Sequence, residues 1–147
     1  MEKIILTEQN FSKLKNLVLK NKGKEIIFSS NNDELNRKII EKLQINTLLI
    51  SLENRKDYMK QRNSGFNEVM ARISKKNGIK IGIDFDELIG AKEKEKIVSR
   101  IIQNVKLCSR NKVGMVFVEG KEKRDIHLLK SLGLVFGMPT WMTADLN

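Results

Sequence analysis

The sequence has one cysteine and one histidine among its 147 residues, and both scarcities exclude classes of chemistry. Cys108 has no second cysteine with which to form an internal disulfide, so we expect a protein of the reducing cytoplasm. Because His127 is the single histidine, the chain cannot form a zinc finger or a multi-histidine metal site. It also cannot form a Cys–His nucleophile pair and have a second histidine to spare. The Gly-x-x-x-x-Gly-Lys-Ser/Thr pattern of a P-loop is also missing. Catalysis by this chain alone would therefore depend on carboxylates, lysines or magnesium.

Long apolar runs, repeats and low-complexity segments are missing as well. No stretch approaches the roughly 18–20 apolar residues that span a bilayer, and the opening Met-Glu-Lys lacks the apolar stretch of a signal peptide. With one proline, the chain has no proline-rich linker. We therefore expect a single domain over residues 1–147, long enough to bury a core.

Acidic side chains are too few to balance the basic ones. Lys and Arg total 28 against 18 Asp and Glu, which gives a formal net charge of +10. Such a surplus favours polyanionic partners, either nucleic acid or an anionic membrane surface. Because the chain lacks an apolar membrane segment, we expect nucleic acid as the partner and no membrane association.

Strand-like and helix-like segments alternate along the chain. Short apolar runs rich in β-branched or aromatic residues predict five strands, at 3–7, 24–30, 46–52, 79–85 and 113–119. Stretches with helical spacing follow each run, and five βα units in alternation predict a parallel sheet with covering helices. A complete eight-stranded barrel needs about 200–250 residues. The alternatives are therefore a truncated (β/α) barrel and an open doubly wound sheet.

Two helices in the second half of the chain have the clearest spacing. One is predicted over 92–112, with Ile97, Ile101 and Val105 on the buried side. Its basic residues are assigned to other faces: Arg100, Lys106, Arg110 and Lys112. The other is predicted over 125–137, with Asp125 as its N-cap.

Both alternative architectures place functional residues in the loops that follow the strands. The loop after the third predicted strand contains "RKDYMKQRNSGFN", residues 55–67, in which four cations surround Tyr58 and only Asp57 opposes them. A packed core cannot hold that density of charge. The segment is either a solvated loop or a binding surface for phosphates.

Three segments resemble the ribonuclease P protein component 3 family of archaea and eukaryotes. "RKDYMKQRNSGFNEVMARISKKNGIKIGIDFDELIG" resembles the family's Arg-Asn-Ser-Gly-Leu-Asn-like segment and the helix, turn and strand after it. "SRIIQNVKLCSRNKVGMVFVEG" resembles its basic helix and next strand, and "RDIHLLKSLGLVFGM" resembles its closing helix. The resemblance covers residues 24–138.

The resemblance implies a protein subunit of the ribonucleoprotein endoribonuclease that removes the 5′ leader from precursor tRNA. In that family an RNA subunit with Mg²⁺ performs the hydrolysis, so the isolated chain is expected to be inactive and to bind no cofactor. A second small protein subunit is the expected partner, in a complex with two copies of each, together with ribonuclease P RNA and precursor tRNA.

The implied fold is a truncated TIM-like (β/α) barrel of the metal-dependent phosphoesterase (PHP-like) type, with about five to six βα units. Family members usually begin with another strand and an Asp-x-His-like start, and they continue past the end of this chain. His127 stands where the family has arginine. We therefore expect an incomplete barrel whose edge is covered by a partner or by Trp141 and its neighbours.

The basic loop and the basic helix supply the predicted RNA contacts. Guanidinium groups bind phosphates bidentately, lysines act as point charges, and a tyrosine can stack on an unpaired base. Asn63 and Ser64 are predicted to cap the following helix, and Gly65 to allow a strained turn. Arg100 and Asn104 are added by the resemblance to the basic helix. The full set is Arg55, Lys56, Tyr58, Lys60, Arg62, Asn63, Ser64, Arg100, Asn104, Lys121 and Arg124.

Four carboxylates near the predicted strand ends give an alternative function. Barrel enzymes collect magnesium ligands at such positions, so a stand-alone magnesium-dependent phosphoesterase would use Glu53, Asp84, Asp86 and Glu119. The competing interpretation is that Asp84 and Asp86 cap loops or pair with lysines. A basic scaffold protein with no tRNA role is a third possibility. We favour the ribonuclease P subunit, and we assign no catalytic residue and no metal ligand to it.

Overall fold

The computed structural model describes residues 1–146, in which five parallel strands form one sheet. Each strand that the sequence predicted is confirmed, with slightly shorter bounds. They are β1 (Lys3–Leu6), β2 (Glu25–Ser30), β3 (Thr47–Ile50), β4 (Lys80–Asp84) and β5 (Met115–Val118).

Helices follow every strand, as the alternation predicted. Within the described residues they are α1 (Phe11–Lys20), α2 (Asp33–Lys42), α3 (Glu68–Asn77), α4 (Phe85–Gly90), α5 (Lys94–Asn111), α6 (Ile126–Val135) and α7 (Thr140–Ala144). Both helices predicted in the second half are confirmed, and Asp125 caps α6 by accepting a hydrogen bond from the His127 N–H. None of the helices in residues 1–146 is long and apolar enough to cross a membrane.

The spatial order of the strands is β1-β2-β3-β4-β5, the same as their order in the chain. A doubly wound sheet reverses its strand order at a switch point, and this sheet does not, so that alternative is wrong. β1 and β5 each pair on one side, and the sheet is open. The structure is therefore a sheet of five βα units, and it does not show the closed wall of a barrel.

One face of the sheet and the inner sides of the helices share a single apolar core. Alternate residues of neighbouring strands point to it, including Phe28, Leu48 and Ile81, all fully buried. Leu14 of α1 and Ile101 of α5 belong to the same cluster, so helices from both halves of the chain cover this face. Burying an aliphatic or aromatic side chain of this size contributes about 1.5–3 kcal/mol, which fixes the register of each strand.

The other face of the sheet is filled by the strands' own side chains. Thr47 and Leu49 are buried there although they lie outside the main core. Gly82 leaves room for them: a Cβ at this position would lie 3.1 Å from Leu49 Cδ1, Thr47 Cγ2 and Val118 Cγ2. Near β1 this face of the sheet is open to solvent, and Ile5 is 51% exposed.

Trp141 lies in α7 and packs against the main core. The Lys112 ammonium sits 5.8 Å from the centre of its ring, a cation–π contact near the end of α5. The tryptophan thus joins the last short helix to the body of the domain. Its predicted role in covering a sheet edge stays a prediction.

Candidate nucleic-acid interface

The basic loop connects β3 to α3 at the carboxyl edge of the sheet, and its tip is a tight turn. The Tyr58 N–H donates to the Gln61 carbonyl over 2.9 Å, which closes the turn around Met59 and Lys60. Met59 is fully exposed and Tyr58 is 60% exposed. The loop therefore presents an aromatic and an aliphatic side chain among cations, which suits stacking on an unpaired base.

Arg55 is the first cation of the loop, and its side chain is only 7% exposed. Its two terminal nitrogens each donate to one carboxylate oxygen of Asp33 over 2.9 Å, and its Nε donates to the Ser51 carbonyl over 2.6 Å. This bidentate pair fastens the loop to the start of α2. The structure places Arg55 as an anchor of the loop, and its predicted contact with RNA stays a prediction.

Arg100 holds the loop from the opposite side. It lies on the buried face of α5 with 3% of its surface exposed, so its assignment to an exposed helix face was wrong. It donates to the Leu52 and Arg55 carbonyls over 2.9 Å each and to Asp57 Oδ1 over 3.1 Å. Asn104, one turn further, is equally buried. Arg100 therefore lies beneath the loop, and neither residue faces solvent.

Asp57 is the centre around which the loop closes. Its Oδ1 accepts the Asn63 N–H over 2.8 Å, and the Arg100 guanidinium donates to the same oxygen. Arg62 lies 3.6 Å from Oδ2. The Asn63 backbone hydrogen bond, followed by the contact with Arg100, lowers the pKa of this carboxyl below its ordinary value. The one acid in the basic segment is thus the group that shapes it.

The Asn-Ser-Gly turn that follows is built differently from the prediction. Asn63 Oδ1 accepts the Gly65 N–H over 3.1 Å, while Ser64 is buried and donates to the Phe66 carbonyl. The N-cap of α3 is Asn67, which accepts the Met70 N–H over 2.9 Å, so the expectation that Asn63 and Ser64 cap the helix was wrong.

Gly65 has the left-handed φ of +70° that the sequence analysis expected of a strained turn. A Cβ there would lie 2.5 Å from Arg55 Nη2. The glycine therefore serves two purposes, the turn itself and room for the buried guanidinium.

Four of the remaining predicted contacts are exposed on this edge: Lys56, Lys60, Arg62 and Lys121. Lys56, Lys60 and Lys121 form no ion pair within the described residues, and the Arg62 side chain is 48% exposed. Arg124 is less free, because it pairs with Glu122 over 3.2 Å and lies above the Phe85 ring. These side chains can reach phosphates without rearrangement of the fold.

A cavity of about 560 Å³ opens beside the loop, between the N-termini of α2 and α3. Tyr58 and Phe66 give it aromatic walls, and Arg62 and Gln103 line it as well. Gln103 was not predicted; it donates to the Arg62 carbonyl over 3.1 Å and so connects α5 to the loop. A cavity of this volume has room for one nucleotide.

Two of the four carboxylates at the strand ends, Asp84 and Glu119, have local partners. Asp84 caps α4 by accepting the Glu87 N–H over 3.0 Å, and Glu119 accepts the Arg124 N–H. Glu87, which the sequence analysis did not single out, accepts from the Leu52 N–H over 2.6 Å, and burial raises the pKa of its carboxyl. Across residues 1–146, no three His, Cys, Asp or Glu side chains are arranged to hold a metal ion.

The sequence matches no protein-family model and no curated protein. Its structure is similar to a chain in the cryo-EM structure of archaeal ribonuclease P with mature tRNA, with a TM-score of 0.79 and 21% identity. The two chains share a fold. The similarity covers 97% of this chain and 64% of the other, so this chain spans less than two thirds of the other chain's length.

Proposed function

We propose that this chain is a protein subunit of ribonuclease P that binds and supports the catalytic RNA. The observation that carries the proposal is the shared fold, over 97% of the chain, with a component of the archaeal ribonuclease P–tRNA structure. The net charge of +10 supports an RNA partner. The resemblance of three sequence segments to protein component 3 supports the same family.

The loop between β3 and α3 is the proposed RNA contact on the carboxyl edge. Lys56, Lys60 and Arg62 would neutralise phosphates, and Tyr58 would stack on an unpaired base. Arg55 and Arg100 act behind them by holding the loop in place, and Asn104 is buried one helix turn after Arg100. Asn63 and Ser64 shape the turn, and Lys121 and Arg124 extend the contact from the loop after β5.

The hydrolysis itself belongs to the RNA. In this proposal the RNA subunit uses Mg²⁺ to cleave the 5′ leader from precursor tRNA, and the protein contributes binding and orientation. A second small protein subunit completes the particle in the cytoplasm, with two copies of each protein. Asp84 accepts the Glu87 N–H as the cap of α4 and Glu119 accepts the Arg124 N–H, and these structural contacts support this division.

The experiment that tests the proposal is a pull-down of the tagged chain from native extract, with sequencing of the bound RNA. We expect one abundant structured RNA together with precursor tRNA, and leader cleavage by the recovered particle. The purified chain alone should cleave neither precursor tRNA nor a generic phosphodiester with any divalent metal. Metal-dependent turnover by the isolated chain, abolished in the Asp84→Ala/Asp86→Ala variant, would replace the subunit with the phosphoesterase.

A further inference from the structure

A second basic surface lies at the opposite edge of the sheet, where helices end and strands begin. Each junction that leads from a helix into β2, β3, β4 or β5 carries at least one lysine, in the connection itself or at the adjoining end of the helix or strand. We call this surface the lysine edge: Lys20, Lys22, Lys24, Lys42, Lys75, Lys76, Lys80 and Lys112.

The charge of the lysine edge is almost unopposed. Within the described part of the chain, Lys24 is the member that forms an ion pair, with Glu2 at 3.7 Å. Glu2, Glu25 and Glu41 are the carboxylates near these connections, and Glu41 pairs with Arg37 over 3.3 Å. By contrast, the loops of the carboxyl edge mix their cations with many acids: Asp33, Glu34, Glu53, Asp57, Asp84, Asp86, Glu87, Glu119, Glu122 and Asp125. The positive surplus of the chain is therefore concentrated away from the loops of the carboxyl edge.

A cavity of about 640 Å³ opens on this surface between the ends of α1, α2 and α3. Its walls include four lysines and no carboxylate: Lys15, Lys22, Lys24 and Lys42. The side chains of Gln44, Asn46 and Asn77 add polar groups. A concave basic surface without an acid concentrates the positive potential that attracts phosphates.

Helix stabilisation explains part of the pattern. A lysine in the last turn of a helix interacts favourably with the helix dipole, and Lys20, Lys42 and Lys75 occupy such positions. Lys22 and Lys80 lie outside the helices and gain nothing from that effect. The adjacent strands are about 4.8 Å apart, so the row from β2 to β5 extends roughly 14 Å across the sheet. Such a row spans several phosphates of a nucleic-acid backbone.

We propose that the lysine edge binds the phosphate backbone of structured RNA, independently of the loop between β3 and α3. The inference rests on the proposed function for the identity of the polyanion as RNA. Lysines are flexible point charges without the planar geometry of arginine, so the contact is independent of base sequence. An RNA held at both edges must pass around the sheet, which requires a folded RNA instead of one short helix.

The test compares two triple variants with the same change in charge. Lys22→Gln/Lys42→Gln/Lys80→Gln removes three exposed lysines from the lysine edge, and the control Lys13→Gln/Lys106→Gln/Lys130→Gln removes three from α1, α5 and α6. Binding of a fully paired RNA duplex and of transcribed ribonuclease P RNA is measured across a salt series. Circular dichroism confirms that both variants keep the fold.

We expect the lysine-edge variant to weaken binding to both RNAs and to flatten log affinity against log salt by roughly 0.7–0.9 per lost contact. The control should change the slope little. Equal losses in the two variants would reduce the effect to net charge and overturn the proposal. The proposal would also fail if the lysine-edge variant lost binding to phosphatidylserine vesicles while keeping its RNA affinity.

The design separates this inference from the proposed function. If the pull-down recovers no ribonuclease P RNA but the duplex shows the selective loss, the proposed function fails and the phosphate-binding surface stands. If the pull-down succeeds and the two triple variants behave alike on the duplex and on ribonuclease P RNA, the proposed role of the lysine edge fails and the proposed function stands.

Discussion

Arg100 in α5 donates a hydrogen bond to Asp57 in the loop after β3, over 3.1 Å, from a side chain that is almost completely buried. The same guanidinium also holds two backbone carbonyls of that loop. The shape of the most basic segment of the chain is therefore fixed by a buried cation that does not belong to it.

Replacing Arg100 with methionine should destabilise the fold. Three hydrogen bonds from a charged donor are lost, and two carbonyls and a carboxylate lose their partner, so the free energy of unfolding should fall by about 3 kcal/mol. Chemical denaturation measures the change. Lys106→Met is the matched control on an exposed side of α5, expected within about 0.5 kcal/mol of the unmodified chain. Equal effects of the two substitutions would contradict the buried role of Arg100.

We expect Arg55 to contribute to stability and Arg62 to contribute to RNA binding. The bidentate contact of Arg55 with Asp33 is charge-assisted and the Arg55 guanidinium is buried, so Arg55→Ala should lower the free energy of unfolding by about 1.5–3 kcal/mol. Arg62→Ala should change it by at most about 0.5 kcal/mol. Arg62→Ala should instead weaken RNA binding and flatten its salt dependence by roughly 0.7–0.9. Lys92→Ala removes the same charge elsewhere on the carboxyl edge and should alter the salt dependence of RNA binding less. An equal change in the two variants would rule out a local phosphate contact by Arg62.

Gly65→Ala should be more damaging than Gly23→Ala, although both residues have positive φ. Alanine at either position has left-handed backbone strain of about 1–2 kcal/mol. At Gly65 the new Cβ would also lie 2.5 Å from Arg55 Nη2 and 2.8 Å from Ile50 Cγ2, whereas at Gly23 no atom lies within 4 Å. We expect an additional loss of about 1–3 kcal/mol at Gly65, measured by denaturant unfolding. If the two variants are equally stable, the guanidinium is not packed against this turn.

Asp57 should make the stability of the loop sensitive to acid. Its pKa in the folded chain is lowered from the ordinary value of 3.8, chiefly by the Asn63 N–H and then by Arg100. Its contribution is therefore complete above pH 3.8 and is lost as the pH falls through the lower folded value. The difference in unfolding free energy between the unmodified chain and Asp57→Asn should shrink over that interval. A difference that stays constant as the pH falls would show that the carboxylate charge does not matter.

Cys108 should be unreactive in the folded chain. Burial raises the pKa of its thiol to about 12, so the thiolate that attacks disulfide reagents is scarce at neutral pH. Labelling with Ellman's reagent should be slow in buffer and fast in denaturant, with a midpoint that follows unfolding. Rapid, complete labelling of the native protein would place the thiol at the surface.

The strands and most helices could be predicted because their signals are local. Apolar runs and helical spacing depend on neighbouring residues, and they located β1 to β5 and the helices α5 and α6. The environment of Arg100 could not be found that way, since its partners are 43 to 48 residues away in the sequence. Its position three residues after Ile97 was the available signal, because that spacing puts both side chains on one helix face.

The start of α3 was missed for a related reason. Asn63, Ser64 and Asn67 are all residue types that cap helices, and sequence alone does not rank them. Asn67 became the cap because Asp57 and Arg55 engage the backbone and side chain of Asn63. The partner of Arg55 was equally hidden: it is Asp33, at the start of a helix that precedes β3. Choices between similar residues are thus made by contacts from other parts of the chain.

The hydrogen bonds of Arg100 also set an order of events during synthesis. Its backbone acceptors, Leu52 and Arg55, leave the ribosome 48 and 45 residues ahead of it. At about 5–20 residues per second the loop spends roughly 2–10 seconds without the guanidinium that holds it. During that interval its cations are already accessible while its shape is undefined. The loop therefore reaches its final shape only when α5 has been made and has docked.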